Sequence, residues 1–445
     1  MKKIKDEDSI KIQIDGDDTI QVSSLKSLTS KMKHILNYLH NYTLSNIISF
    51  LDWPTVAYMI GLIILGLIMV FSSTMYLGQT ISGSGPLQST FTQSISIVIG
   101  LFMFMVVFLI PTSWYKNPTY IIFANVVIIL LLLLTRIIGL TVGGARSWLS
   151  IGGMSIQPSE LSKIVAIITW IWISDYSHRE FRLSRELFHN FPSRTHFIVG
   201  ASIITFLLIA LQPDYGMLII IISAISLMWL VDHASQRTNM KVYAGLIILF
   251  GVFRVVASNF ADRLIQTNIH FFERIGIFMN PFIDQANTGY QSINAYVAFS
   301  RGGLFGVGIG QGVMKRGQIP AIHNDFILAN IAEEIGFVGV TLLIMVYLLL
   351  FFRLFKWSAK AFSPFRARMI MGLTIILMIQ TFVNIGGVIG LIPMTGVTLP
   401  FVSAGGSSMI ITLMTFAIIL KMIYEEKMLS QEADIDKRRE YIGNH

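Results

Sequence analysis

Residues 318–352 read QIPAIHNDFILANIAEEIGFVGVTLLIMVYLLLFF. A polar run closes on His323, Asn324 and Asp325, and an apolar stretch begins at once. That stretch is long enough for a membrane helix, which needs about 20 residues. It carries Glu333 and Glu334 inside it. A carboxylate at bilayer depth costs at least ~2.5 kcal/mol by insertion scales, so it is a candidate functional group by default. Asp325 sits at the mouth of the expected helix, where a water-soluble group meets a membrane-bound one. Asn324 or Asp325 equally suits the N-cap of that helix. Glu333, eight residues on, is expected ~80° round the helix and ~12 Å deeper, able to share a cavity with Asp325, while Glu334 points elsewhere. Either glutamate can instead pair with a buried cation such as Arg254.

The composition extends this reading to the whole chain. Of 445 residues, 53% are hydrophobic and 13% charged, and the mean hydropathy is +0.66. Soluble proteins carry about 25% charged residues, so the expected fold class is an all-α, polytopic integral membrane protein. The net charge of +8 does not point to nucleic acid. Basic loops follow from the positive-inside rule, with anionic membrane lipid as their counterpart. The absence of cysteine excludes disulfides, thiolate metal sites and cysteine nucleophiles. The first 20 residues are charged and lack an apolar core, so no cleavable signal peptide is expected.

Ten spans are expected, at 53–73, 90–110, 119–140, 159–174, 196–212, 216–231, 241–258, 326–352, 369–391 and 403–424. Loops 175–195, 232–241 and 353–368 are basic, with Arg179, Arg182, Arg185, Arg194, Arg237, Lys241, Arg353, Lys356, Lys360, Arg366 and Arg368. The alternate loops 74–89 and 392–402 carry no charge. Basic loops stay inside, which places both termini in the cytoplasm. Residues 141–158, 212–215 and 259–325 then face outward, the last as one long loop of the kind that is usually functional. The expected division is a cytoplasmic extension at 1–50, a transmembrane domain at 51–425 and a cytoplasmic tail at 426–445. The opening stretch mixes charges and is expected to be flexible. Leu25, Leu28, Met32, Ile35, Leu36 and Leu39 follow helical spacing, as in an amphipathic helix on the membrane surface or a solvated helix packed on the membrane domain.

The expected outer surface collects the unusual residues. Ser159 suits the N-cap of the fourth span, and Lys163 lies about one turn inside it. That lysine either snorkels outward or holds an anionic headgroup. Arg146, a lone cation in a glycine-rich loop, is either solvated or forms a phosphate clamp with Lys163. Asp214, in QPDYG (212–216), suits a cap on the next helix. The long loop holds Arg274, Asp284 and a glycine series at 302–310. That series lacks the Lys-Ser/Thr and the preceding strand of a phosphate loop, so close backbone packing or a re-entrant segment fits better. Ser403 to Ser408 suits an unwound helix start lining a cavity.

Several segments together resemble the SEDS family of bacterial cell-shape and division proteins, FtsW, RodA and SpoVE. They are GGARSWLSIGGMSIQPSELSK (143–163), QPDYG (212–216), NPFIDQANTGYQ (280–291), PAIHNDFILANIAEEIGFVG (320–339) and LPFVSAGGSS (399–408). The resemblance covers residues 50–425 in family order, and MVFSSTM (69–75) looks slightly more like the FtsW branch. It implies a peptidoglycan glycosyltransferase that polymerises lipid II on the outer face of the bacterial cytoplasmic membrane. It also implies a class B penicillin-binding protein as partner, with other divisome or elongasome membrane proteins. The family's essential aspartate lies in His-Thr-Asp-Phe, which here is His323-Asn324-Asp325-Phe326. Asn324, Ala321 and Ala404 depart from the family pattern, and none of them removes the aspartate.

Lipid II carries an α-linked pyrophosphate and the glycan is β-linked, so the implied reaction inverts in one displacement. It needs a base for the acceptor hydroxyl and stabilisation of the leaving pyrophosphate. Asp325 is the expected base. Arg146, Lys163, Arg274 or a Mg²⁺ (or another divalent cation) would hold the pyrophosphate. His323 and Ser407, inside matching motifs, are expected substrate contacts, and Glu333 supports the site. The rival readings are a lipid II flippase and a non-catalytic scaffold for a penicillin-binding protein.

Overall fold

In a hydrocarbon layer a backbone N–H or carbonyl finds no water, so each crossing segment must satisfy itself as a helix. The computed structural model follows this rule. It describes residues 3–6, 9–13, 19–23, 42–76, 86–142, 145–151, 154–181, 193–233, 236–265, 267, 270–285, 289–320 and 322–443. The chain divides into one unit of residues 1–51 with 430–445 and another of residues 52–429.

The first unit holds three short antiparallel strands, β1 (Lys3–Asp6), β2 (Ser9–Gln13) and β3 (Thr19–Ser23), in the order β1-β2-β3. The described residues of the opening stretch, read from its mixed charge as flexible, take up strands. Alternation of Ile10, Ile12, Ile20 and Val22 with polar neighbours gives it a strand pattern. The unit also holds helix α1 (Leu44–Phe50), capped by Thr43. The amphipathic pattern at 25–39 lies outside the described residues.

Each of the ten expected spans, all within residues 52–429, coincides with a helix. These are α2 (Trp53–Thr74), α3 (Pro86–Leu109), α5 (Pro118–Ile138), α6 (Pro158–Phe181), α7 (Ser193–Leu211), α8 (Tyr215–His233), α9 (Gln236–Ser258), α13 (Ile327–Lys360), α14 (Pro364–Val388) and α15 (Gly406–Gly443). Eight helices among the described residues are long and apolar enough to cross a membrane. The other two are α7, whose apolar stretch is shorter, and α6, which carries Glu160, Lys163 and Asp175. Prolines in the first turn start α2, α5 and α14, where a missing N–H costs nothing. A short helix α4 (Thr112–Lys116) joins α3 to α5. Ile128, Leu132, Ala166, Ile209, Met217 and Ile221 form a core between α5, α6, α7 and α8.

The connections hold the exceptions to a plain bundle. Between α5 and α6 lies a small antiparallel sheet of β4 (Leu140–Val142), β5 (Ala145–Ile151) and β6 (Met154–Ile156). The stretch 259–325 is largely built of short elements. They are α10 (Ala261–Ile265), α11 (His270–Met279), a 3₁₀ turn (Pro281–Asp284) and α12 (Tyr290–Gly302).

The decisive irregularity lies inside α13. Gly336 has φ 77° and ψ −173°, a region that only glycine occupies at low cost. The helix is broken there, and its freed groups find partners in the glycine series. The carbonyls of Glu333 and Glu334 accept from the N–H groups of Val307 and Gly308 at 2.9 and 3.0 Å. The N–H groups of Phe337 and Val338 donate to the carbonyls of Gly303 and Leu304 at 2.9 and 3.0 Å. A Cβ at Gly306 would lie 2.2 Å from the Glu334 carbonyl oxygen, so only glycine permits the approach. This is the close backbone packing that the glycine series suggests.

The side-chain partners correct the placement of Glu333. It lies on the regular turns of α13 before Gly336, but its carboxylate is taken up by the 301–314 segment instead of sharing a cavity with Asp325, while Glu334 points elsewhere as expected. Glu333 Oε1 accepts from Val313 N–H (2.9 Å) and Arg301 Nε (3.1 Å), and its Oε2 from Met314 N–H (3.1 Å). Glu334 pairs with Lys315 Nζ at 2.6 Å and accepts from Ser72 of α2. Arg254 is partner to neither, since its guanidinium stacks on Phe278. Glu333 and Glu334 therefore anchor the 303–315 loop to the break.

Two expectations follow. Gly336→Ala should cost about 1–3 kcal/mol of stability from backbone strain alone, read as a lower melting temperature in detergent, while Gly61→Ala, which adds a Cβ into open space, should leave it unchanged. Lys315→Met should cost about 3–5 kcal/mol by stranding the buried Glu334 carboxylate, and the double change Lys315→Met/Glu334→Gln should recover most of that loss in the same melts.

Candidate active site

Asp325 closes the turn 322–326 that leads into α13. Its carboxylate lies near its own N–H and that of Phe326, both of which favour its charged form. Part of its surface stays open, yet the protein around it is dense enough to disfavour charge. Burial raises its pKa to about 6, and its own N–H, the Arg274 guanidinium of α11 and the Phe326 N–H partly offset that rise. A Cβ at Gly396 (φ 76°) would sit 3.8 Å from Asp325 Oδ2, so the 393–405 loop lines one side of the carboxyl.

Side chains from neighbouring elements hold the backbone of that loop. Arg274 Nη1 donates to the Thr395 carbonyl at 3.1 Å. Asn384 Nδ2 donates to the carbonyls of Val397 and Asp325, each at 2.8 Å. Gln380 Nε2 donates to the Thr398 carbonyl at 3.1 Å. Leu399 N–H donates to Ser403 Oγ, and Ala404 N–H donates to the His323 carbonyl at 2.9 Å. Gln93 of α3 accepts from Gly405 N–H and donates to the Ser403 carbonyl. The motifs around 323 and 399–408, far apart in sequence, thus form one backbone-bonded cradle.

Each expected site residue now has a place. Asp325 and Arg274 come together in the cradle. His323 is on the same turn; burial lowers its pKa, which favours the neutral ring, and its Nδ1 is buried without a hydrogen-bond partner. Ser407, in the first turn of α15, is buried and its Oγ has no partner. Lys163 is fully buried rather than snorkelling. Its Nζ bonds Glu160 Oε2 at 2.5 Å and Gln380 Oε1 at 2.6 Å. Arg146 donates to the carbonyls of Gly139 and Ile137, both at 2.8 Å, and so caps the end of α5. The clamp of Arg146 with Lys163 is not formed, because helix-end carbonyls take one cation and a carboxylate takes the other. Glu333 is held by Arg301 and the 313–314 backbone, none of which touches Asp325.

Ser159 does not cap α6. Its Oγ donates to Asp214 Oδ2 at 2.6 Å, alongside Gln157 Nε2 at 2.7 Å. Asp214 in turn accepts from Met217 N–H and so caps α8, as its position suggests. Burial raises its pKa against these bonds. Gln380, Asn384 and Gln93 are the cradle residues that sequence reading missed. Gln380 and Asn384 had a signal, since two amides four apart in an apolar span share one helix face. Among the described residues no three His, Cys, Asp or Glu side chains cluster to hold a metal. Asp325 alone offers one carboxylate.

The family described as "Cell cycle protein" (FtsW, RodA, SpoVE) matches residues 53–428. A Francisella salina protein named probable peptidoglycan glycosyltransferase FtsW is 33% identical over 389 residues, 85% of this chain and 90% of its own. The Bacillus subtilis protein of the same name is 34% identical over 355 residues, 80% of this chain and 86% of its own. A solved chain, from work on the structural coordination of polymerization and crosslinking by a peptidoglycan synthase complex, aligns with a TM-score of 0.60 and 25% identity. The alignment covers 84% of this chain and 98% of that one. A family match over residues 53–428 takes in the whole bundle and the cradle of Asp325, and the chain belongs to the FtsW/RodA/SpoVE family.

Proposed function

We propose that this chain polymerises lipid II into glycan strands at the outer face of the bacterial cytoplasmic membrane, with Asp325 as general base. It is a peptidoglycan glycosyltransferase of cell division or cell shape. The names of its relatives support the activity. The observation that carries the site is Asp325 itself: a partly open carboxyl at the mouth of a membrane helix, with a pKa near 6. A base works best when its pKa lies close to the working pH.

The reaction is a single displacement. The acceptor's sugar hydroxyl oxygen bonds to the donor's anomeric carbon as that carbon's bond to pyrophosphate breaks. The hydroxyl proton passes to Asp325, and the pyrophosphate leaves with its electrons on the lipid. Arg274 brings positive charge to the same cradle and is the cation best placed to meet the leaving group. His323 and Ser407, each with a buried unpartnered atom, are the neutral polar contacts for sugar or phosphate. A Mg²⁺ here would take Asp325 and substrate phosphate oxygens, a common mode for that ion, and would supply charge neutralisation at the pyrophosphate.

Ten crossings with both termini in the cytoplasm belong to the same reading. The basic loops 175–195, 232–241 and 353–368 support it. So does a class B penicillin-binding protein as partner, alongside other divisome or elongasome proteins, given the likeness to a chain of a peptidoglycan synthase complex.

Asp325→Asn, purified with its penicillin-binding protein, should lose about 10²- to 10⁴-fold in glycan formation from lipid II. Chains made equally by wild type and variant would overturn the assignment. An intact wild-type complex that makes none would favour the flippase or scaffold reading. Because the base must be ionised, the wild-type rate should fall as pH drops through about 6. Arg274 holds the Asp325 pKa down, so Arg274→Gln should move that acidic limb to higher pH in initial-rate profiles.

A further inference from the structure

Helix α14 carries two amides on one face, Gln380 and Asn384, both essentially inaccessible. A buried amide is costly unless hydrogen-bonded, and both are bonded to the 397–398 backbone. Asn384 does something more. Its Nδ2 hydrogens reach two carbonyls at once, that of Val397 and that of Asp325, each at 2.8 Å. An amide NH₂ has two donors, so both bonds form together. Its Oδ1 is buried without a partner, so only the donating half of this side chain is used.

We propose that Asn384 is a positioning residue that fixes the Asp325 carboxyl in the cradle by pinning the Asp325 and Val397 carbonyls to a single amide. This rests on the reading of Asp325 as the base. The Asp325 carboxyl is one Cβ away from this backbone and close to its own N–H and that of Phe326, so a grip on the backbone carbonyl limits where the carboxyl can lie. Loss of Asn384 orphans two carbonyls, which must then find water. Water there relieves the burial that raises the Asp325 pKa.

The charged and titratable groups around this site are few. Arg274 faces Asp325 from α11, and His323 lies on its own turn. On α13, Glu333 and Glu334 are paired with Arg301 and Lys315. On α6, Glu160 and Lys163 are paired with each other. The α14 face contributes Gln380 and Asn384, neither of which titrates. Gln380 is the natural control, since it grips the same loop at Thr398 without touching Asp325.

The test compares pH–rate profiles of lipid II polymerisation for wild type, Asn384→Ala, Gln380→Met and Asp325→Asn, each in complex with the penicillin-binding protein and with melting temperatures recorded. Asn384→Ala should lose about 10- to 100-fold in kcat with KM within about twofold, and its acidic limb should move to lower pH. Gln380→Met should keep the wild-type limb whatever its rate. If Asn384→Ala does not fold, Asn384→Ser takes its place. A wild-type kcat, or a reduced kcat with an unmoved limb, overturns the positioning role. Asp325→Asn separates the two ideas: an active variant sinks the base assignment itself, whereas an inactive one beside a normal Asn384→Ala sinks only the positioning role.

Discussion

A helix interrupted inside a membrane leaves backbone groups that neither lipid nor the helix can satisfy. At Gly336 that problem is met by the 303–308 backbone, which supplies two donors and two acceptors across the gap. Much else follows from this exchange. The loop must approach closely, so it is glycine-rich. It must also stay in place, so Glu333 and Glu334 reach from the broken turn to Arg301, the 313–314 backbone, Lys315 and Ser72. With the first turns of α13 fixed in this way, the turn that presents Asp325 has a firm base.

The charged residues of the membrane domain separate by their partners. Lys163, Arg146, Lys315, Glu333 and Glu334 are all bonded within the protein. Each stabilises an unusual piece of backbone or another buried group, because an unpaired charge in that setting costs several kcal/mol. The Asp325 carboxylate is different. Among the described residues no side chain hydrogen-bonds it; it keeps an opening, and Arg274 is near enough to bias its ionisation but is bonded to the Thr395 carbonyl. A group that the fold leaves incompletely satisfied is a group that a substrate can complete. Amides do the rest of the work: Gln93, Gln380 and Asn384 hold the cradle's backbone without adding charge to it.

Much of this protein was determined by its sequence alone. Apolar length and scarce charge dictate a helical membrane bundle, because the energetics of a lipid phase depend on composition before they depend on arrangement. The helices fall where the apolar runs lie, and the turn chemistry at Asp214 and Gly302–Gly310 was legible because it is local. The five motifs, and Asp325 within them, were likewise legible as residue types in order. What the tertiary structure alone decided is which charges are partnered. Lys163 looked like a headgroup ligand until Glu160 and Gln380 closed on it, and Glu333 looked like a companion of Asp325 until Arg301 and the 313–314 backbone took up its carboxylate. The strands of residues 3–23 were hidden by their charge content, and the grip of Asn384 on Asp325 spans 59 positions. Pairing is a property of three-dimensional neighbours, and helix spacing carries that information only across a few turns.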